Sequence, residues 1–175
     1  MTNTLDQTAA EEQFRSVFAH LGAVAAYARR RGHRDAEAAA AEVMTIAWRR
    51  LPDVPVDDPR PWLFATARNI VRADARRSRP SSGEAAEAST PEPGLPELDP
   101  ELTYALRSLS SVDREALLLV AWEDLTPTQA AHSLGINPAA FRVRLLRARR
   151  RLQAELDAST GRPCEPNANL DMETT

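Results

Sequence analysis

The residues from Leu125 to Leu156 constrain the fold most, because they carry start and stop signals for two helices with only a short turn between them. Thr126 and Gln129 have the spacing of a capping box, in which each side chain satisfies a free backbone N–H at a helix start. Gly135 predicts the end of that helix, since a left-handed backbone costs glycine least. Asn137 then caps a second helix. Two helices joined by so short a glycine-containing turn predict a helix-turn-helix.

The second helix of this motif is rich in arginine. Its apolar residues recur at helical spacing and predict one buried stripe, made of Phe141, Leu145, Ala148, Leu152 and Leu156. Six arginines occupy much of the remaining circumference: Arg142, Arg144, Arg147, Arg149, Arg150 and Arg151. A plain solvated surface usually mixes acids with bases and gains ion pairs one turn apart. The shortage of acids therefore favours nucleic-acid contact over a solvated surface, and Ala140, Val143, Arg144 and Arg147 are predicted to project away from the stripe.

Composition agrees with this prediction only when the position of the charges is considered. The chain has 22 basic residues, all arginine, against 25 acidic ones, a net charge of −3 and a pI near 5.7. That balance argues weakly against a free-standing nucleic-acid binder, but many arginines fall between residues 60 and 79 and between 142 and 151. A single cysteine, Cys164, excludes a disulfide framework and a cysteine-based metal site. The lack of a long apolar run predicts a cytoplasmic protein without membrane insertion.

The N-terminal part predicts three more helices. The first is expected from near Glu11, with Phe14 and Phe18 among its core residues, to the arginines 29–31, which either complement the helix dipole or make a functional contact. Asp35 is expected to cap the second helix. Prolines make residues 52–59 a loop, and a third helix follows from Pro61.

These patterns predict an all-α protein of two small helical domains joined by a flexible, acidic, proline-rich linker. The first domain is expected at residues 11–79, the linker at 80–100 and the second domain at 101–157. The polar residues 158–175 are expected to form a disordered tail. The linker prediction follows from five prolines interleaved with small residues and acids, which extend a chain and deny it a core.

Two segments resemble conserved regions of bacterial RNA polymerase sigma factors. The first resembles their second region in Asp35-Ala36-Glu37, Ala47-Trp48-Arg49-Arg50, Trp62-Leu63, Ala67-Arg68-Asn69 and Asp74. The second, from Ser110 to Leu156, is similar to their fourth region and includes the arginine-rich run. Because no helical domain is predicted between them, the chain is most similar to the extracytoplasmic-function (ECF) group of the sigma-70 family.

The resemblance implies an alternative sigma factor that binds core RNA polymerase and promoter DNA, and that is controlled by an anti-sigma factor. Docking on the polymerase would involve Asp35, Glu37, Glu42 and Trp48. Melting and holding the −10 element would involve Trp62, Arg68, Asn69, Arg72, Arg76 and Arg77, with a flipped base held by the loop at 53–59. The −35 element would be read in the major groove by Asn137, Ala139, Ala140, Arg142, Val143, Arg144 and Arg147.

Two other functions remain open from the residues themselves. A stand-alone transcriptional regulator would use the same helix-turn-helix without polymerase, but it would leave the first arginine block unused. A protein-binding helical adaptor would leave both blocks unused. We expect no enzymatic activity, cofactor or metal, because the sequence contains no nucleophile–base pairing, phosphate-binding loop or metal-ligand cluster.

Overall fold

The computed structural model describes residues 2–77 and 98–160 of the chain. Within these ranges it contains eight α-helices, a short 3₁₀ turn at Leu51–Asp53 and no β-strand, which confirms the all-α prediction. The helices are α1 (Thr2–Phe18), α2 (Leu21–Arg30), α3 (Ala36–Arg49), α4 (Arg60–Arg77), α5 (Pro100–Ser108), α6 (Ser111–Ala121), α7 (Pro127–Leu134) and α8 (Pro138–Thr160).

The first domain packs α1–α4 around a core that contains two aromatic rings. The rings of Tyr27 and Phe64 stack with their centroids 5.0 Å apart and join α2 to α4. Val24, Val43 and Leu63 are fully buried beside them. As predicted, Asp35 caps α3, its carboxylate accepting a hydrogen bond from the Ala38 N–H at 2.8 Å.

The N-terminal helix differs from the prediction. It begins at Thr2 rather than near Glu11, and the chain breaks at Ala19–His20 before α2 starts. At the break the His20 N–H donates to the Val17 carbonyl, three residues back, and not to the carbonyl four residues back that would continue an α-helix. Phe18 therefore stands at a helix end and is 49% exposed, although the sequence pattern placed it in the core.

The second domain is built on α8, which packs against α5, α6 and α7. Phe141, Leu119 and Leu125 are its largest fully buried side chains. Arg114 of α6 closes the end of α5, because its guanidinium donates to the backbone carbonyls of Leu106, Arg107 and Leu109 at 2.7–3.0 Å. Burial, together with the charge of Arg107, lowers the pKa of Arg114.

The helix-turn-helix forms as its capping signals predicted. Both hydrogen bonds of the Thr126–Gln129 capping box are present, at 3.3 and 2.7 Å. Gly135 ends α7 with a left-handed φ of 65°. Asn137 starts α8 by accepting a hydrogen bond from the Ala139 N–H at 2.7 Å.

The ends of the second domain differ slightly from the prediction. α5 begins at Pro100, with Asp99 as its cap, so the last residues assigned to the linker belong to a helix start. α8 continues to Thr160, past the predicted end at Asp157. The side chains of Gln153 and Asp157 bond one turn apart at 2.8 Å and support this extension. The rest of the predicted linker and tail, residues 78–97 and 161–175, lies outside the described residues.

Candidate nucleic-acid and polymerase interfaces

The outward face of α8 carries most of the residues expected to read the −35 element. Phe141, Leu145 and Ala148 are buried and turn the opposite side of the helix to solvent. The exposed members of the predicted set are Asn137, Ala139, Ala140, Arg142, Val143 and Arg147. We call this surface the α8 face. It combines small and apolar side chains with arginines, so it can follow a DNA groove closely while contacting phosphate or guanine.

Arg144 is placed differently from the rest of this set. It is half-buried, although the sequence pattern predicted that it projects away from the apolar stripe. At ~100° per residue it lies near the buried Phe141 and Ala148 rather than opposite them. Arg147 is exposed and farther from the stripe. Arg147 is therefore better placed than Arg144 to contact a base.

The exposed side of α4 brings three of the predicted −10 residues together. Asn69, Arg72 and Arg76 are exposed and recur every three or four residues, which puts them on one strip of the helix. We call this surface the α4 strip. Among the described residues, Arg72 and Arg76 have no ion-pair partner, so both charges are available to a polyanion.

The other three predicted −10 residues lie outside the α4 strip. Arg77 is exposed and pairs with Asp74 at 3.4 Å. Trp62 is half-buried and packs against the core, and so presents only part of its ring for base stacking. Arg68 is turned towards the second domain, where its Nε lies 3.2 Å from Glu115.

The four predicted polymerase-docking residues are all exposed on α3 or at its cap, but they do not form one patch. At ~100° per residue, Asp35 and Glu42 lie along one edge of the exposed surface, and Glu37 and Trp48 lie along the other. Glu37 pairs with Arg29, which lies in the last turn of α2.

Trp48 belongs to an aromatic surface that the sequence did not predict. Its ring meets the Phe14 ring edge-on with the centroids 4.9 Å apart, and Phe14 in turn contacts Phe18 at 6.0 Å. Trp48 and Phe18 are each 49% exposed. The sequence assigned both phenylalanines to a core. Phe14 is half-buried and packs against that core, whereas Phe18, the last residue of α1, is exposed.

A groove of about 330 Å³ lies between α3 and α4. It links the two predicted sets, since its lining includes Glu42 from the docking set and Asn69 and Arg77 from the −10 set. The lining is completed by Ile46, Arg50, Thr66, Ile70 and Ala73.

The loop before α4, expected to hold a flipped base, is fixed at both ends. Gln13 of α1 donates to the carbonyls of Leu51 and Val54, each at 3.3 Å. At the other end, burial acts to raise the pKa of Asp58, but hydrogen bonds from Arg60 outweigh it and lower that pKa. Val56 between these anchors is 72% exposed.

The two domains touch through a cluster of charged side chains, which we call the ionic cluster: Arg30, Arg31, Arg68, Glu115 and Glu123. Arg30 contributes the shortest contacts, with its Nη2 at 2.6 and 2.8 Å from the two carboxylate oxygens of Glu123. Glu123 is 3% exposed and Arg30 is 13% exposed as side chains, so the pair is largely shielded from water. Residue 124, an aspartate with a φ of 50°, turns the chain immediately after Glu123.

Arg31 and Tyr27 complete the ionic cluster on the side of the first domain. The Arg31 guanidinium lies 3.4 Å above the centre of the Tyr27 ring. Burial raises the pKa of Tyr27, which keeps the phenol protonated and able to donate to Glu115 at 3.2 Å. Within the described residues, Nε and Nη2 of Arg31 donate no hydrogen bond, although a carboxylate oxygen of Glu115 lies 3.6 Å from Nε.

Sequence reasoning missed these interdomain contacts. The sequence does not decide whether the arginines at 29–31 complement the helix dipole or make a functional contact. The structure gives two of them, Arg30 and Arg31, specific partners in the second domain. Glu115 and Glu123 stand eight positions apart without any local signal for a partner in the first domain.

Comparison with known proteins supports the resemblance to sigma factors. Residues 100–152 match the family model for sigma-70, region 4. The Probable RNA polymerase sigma factor RfaY of Xanthomonas campestris pv. campestris is 36% identical over 133 residues, 67% of this chain and 33% of that protein. The chain thus spans about a third of the length of the curated relative that it matches.

Two solved structures are similar over most of the chain. CnrH, solved in complex with the cytosolic domain of CnrY, is 30% identical, with a TM-score of 0.59 over 83% of this chain and 88% of that one. The sigma factor RpoE of Bartonella quintana, solved in complex with the anti-sigma factor NepR, has a TM-score of 0.59 over 82% of this chain and 95% of that one. At 24% identity the second similarity shows a shared fold alone.

Two further properties concern the described ranges alone. No helix there has the length and hydropathy needed to cross a membrane. Nor do histidine, cysteine, aspartate and glutamate side chains in those ranges gather into a group that could hold a metal ion.

The helical architecture, the region 4 match and these relatives agree with one another. The chain belongs to the sigma-70 family of RNA polymerase sigma factors, in the ECF group.

Proposed function

We propose that this chain is an alternative sigma factor that binds core RNA polymerase and directs it to promoters. The observation that carries the proposal is the presence of two exposed, arginine-bearing surfaces on separate domains, the α8 face and the α4 strip. Reading duplex DNA and holding a separated strand require different surfaces, because the first needs a helix shaped for the major groove and the second needs cations along one exposed backbone.

In this proposal the α8 face reads the −35 element. α8 enters the major groove by its N-terminal half, where Ala139, Ala140 and Val143 permit close approach and Arg147 contacts a base or phosphate. Few of these side chains can hydrogen-bond to bases. Sequence preference therefore rests partly on the shape of the DNA.

The first domain holds the melted −10 element and docks on the polymerase. Arg72 and Arg76 of the α4 strip neutralise the phosphates of the non-template strand, and Asn69 contacts it between them. The loop at 53–59 receives a flipped base, whose unstacking costs a few kcal/mol that the pocket must offset. The exposed aromatic surface at Trp48 and the acids of α3 contact core polymerase. The chain acts as a specificity subunit and contributes no catalytic group of its own.

An anti-sigma factor is also proposed as a partner. The similar proteins CnrH and RpoE were each solved with another protein bound, the cytosolic domain of CnrY and the anti-sigma factor NepR respectively. Phe18 and Trp48, each 49% exposed and joined through Phe14, offer an apolar surface that such a partner would cover.

The proposed function is tested by run-off transcription with purified core polymerase and a library of upstream DNA fragments. We expect defined transcripts only when both the chain and core polymerase are present. A stand-alone regulator, the second candidate, would be favoured if the chain selected the same fragments alone and added no transcripts to core polymerase.

A further inference from the structure

Leu146 is a large apolar side chain on α8 that lies outside the set expected to read the −35 element. It is 50% exposed, and Val143, three residues before it, is 48% exposed. At ~100° per residue the two lie about 60° apart around the helix, on the side away from the buried Phe141. We call Val143 and Leu146 the apolar pair. The exposed Ala139 and Ala140 adjoin it on the same side of α8.

The exposed surface around the apolar pair consists of arginines and small apolar residues. Every exposed position from 139 to 151 is either apolar or arginine. Among the described residues, only one of these arginines has an ion-pair partner, Arg151 with Asp113. A helix surface that only meets water usually also carries acids and forms ion pairs one turn apart. This surface is therefore suited to a partner that offers both anions and apolar groups.

The arrangement of the arginines matches duplex DNA. At ~100° per residue, Arg142 and Arg144 lie about 100° to either side of Val143. A helix with its side chains is about 10–12 Å across, and the major groove is about 12 Å wide. When the apolar pair faces the floor of the groove, arginines on both sides of the helix can meet the phosphates at the two edges. The apolar pair then lies against the edges of the bases.

The floor of the major groove offers one kind of apolar group. Thymine presents its C5 methyl group there, and the other three bases present hydrogen-bonding groups. The apolar pair has no side-chain hydrogen-bonding group, so it can distinguish bases only by apolar contact. The Cβ atoms of residues three positions apart are about 5–6 Å from each other, which corresponds to one or two base-pair steps of ~3.4 Å. Two thymines at nearby positions would therefore fit the pair.

We propose that Val143 and Leu146 read the −35 element by contact with the C5 methyl groups of thymines. Contact removes apolar surface of both partners from water and leaves no polar group without a hydrogen bond. Cytosine at the same position is disfavoured, because its amino group would face a side chain that cannot accept a hydrogen bond. Leu146 is thereby assigned as a specificity-determining residue. The inference rests on the proposed function for the placement of α8 on duplex DNA.

The first test changes the DNA and measures its affinity for the chain bound to core polymerase. In a promoter fragment recovered by run-off transcription, each thymine of the −35 element is replaced singly by deoxyuridine. This substitution removes the methyl group and keeps every hydrogen-bonding group of the base. We expect one or two sensitive positions, each losing about fourfold in affinity. Deoxyuridine between the two promoter elements is the control and should change affinity little.

At a sensitive position, cytosine should also weaken binding. 5-Methylcytosine should recover part of that loss, because it restores the methyl group without restoring the other groups of thymine. Equal affinities for cytosine and 5-methylcytosine would contradict a methyl contact.

The second test changes the protein. Leu146→Ala should lower affinity for the thymine fragment and abolish the deoxyuridine penalty at one sensitive position, because the methyl group there has lost its partner. The matched control, Val112→Ala, shortens another exposed apolar side chain of the same domain and should preserve both the affinity and the penalty. A purely structural role of Leu146 would lower affinity for both fragments equally and keep the penalty.

The proposal is overturned if no thymine of the −35 element is sensitive to loss of its methyl group, or if that element contains no thymine. It is also overturned if the penalty survives in Leu146→Ala. A Leu146→Ala chain that binds promoter DNA normally but associates poorly with core polymerase would assign the apolar pair to a protein contact instead.

These outcomes are separate from the proposed function. Normal transcription without any dependence on thymine methyl groups would overturn this inference alone. A chain that selects duplex DNA by itself and adds no transcripts to core polymerase would overturn the proposed function. The same deoxyuridine substitutions, made in the fragments which that chain selects, would then still test the methyl contact.

Discussion

Arg30 and Glu123 lie 93 residues apart in the sequence, yet the Arg30 guanidinium donates to both carboxylate oxygens of Glu123 at 2.6 and 2.8 Å. The pair joins the end of α2 to the turn between α6 and α7. Because the Glu123 side chain is 3% exposed, either partner left alone would be a charge held away from water. The two residues are therefore expected to depend on each other for their effect on stability.

A double-mutant cycle measures that dependence. Arg30→Gln and Glu123→Gln should each lower the free energy of unfolding, and the double variant should lose less than the sum of the two. We expect a coupling energy of about 0.5–3 kcal/mol from urea unfolding at fixed salt. Strictly additive losses would contradict the contact.

Local signals explain why much of the fold followed from the sequence. The capping box at Thr126 and Gln129, the left-handed Gly135 and the cap at Asn137 each depend on residues within a few positions of one another. Such signals act within the backbone of a single turn, so they can be recognised from residues that are neighbours in the sequence. The helix-turn-helix was predictable for that reason.

Contacts between distant residues were not predictable in the same way. Gln129 meets Asp58 across 71 positions, and Arg68 meets Glu115 across 47. Nothing in the residues near Arg68 distinguishes a side chain that binds DNA from one that pairs with a carboxylate. The pattern of one helix also could not show that α1 ends at Phe18 and leaves its ring half exposed.

Asp58 makes stability depend on pH. Its pKa is lowered in the folded chain, so its stabilising contribution is present above its unfolded pKa of about 3.9 and is lost as pH falls through the folded value. Compared with Asp58→Asn, the unaltered chain should be more stable by about 1 kcal/mol at pH 7, since solvent screens a pair that is about a third exposed. Urea unfolding should show the difference shrinking below pH ~4. A difference that stays constant to pH ~2 would show that the charge of Asp58 is not responsible.

Arg147 tests how the α8 face reads duplex DNA. Arg147→Ala should cost about 1–3 kcal/mol in binding and relax preference at one −35 position if the side chain contacts a base. Arg149→Ala removes the same charge about 200° around the helix and should leave the preference unchanged. Competition assays of holoenzyme on single-substitution promoters separate these effects. Equal weakening on every sequence would assign Arg147 to phosphate.

The α4 strip is tested by promoter opening. Replacing Arg72 and Arg76 together by alanine should leave −35 binding intact but reduce strand separation at −10, because the single strand loses two of its cations. Permanganate reactivity of unpaired thymines measures the open fraction. Arg15→Ala with Arg34→Ala, two exposed arginines outside the predicted surfaces, controls for net charge. Unaltered promoter opening in the α4 variant would show that the α4 strip is not needed for strand separation.

The most direct test of the central claim is selection of binding sites from random DNA by the chain, with and without core polymerase. With polymerase, the selected DNA should contain two conserved blocks at a fixed spacing, because core polymerase holds the α8 face and the α4 strip apart along one promoter. Without polymerase, that paired pattern should disappear. Recovery of the same two blocks at the same spacing by the chain alone, or failure to associate with core polymerase, would contradict the account.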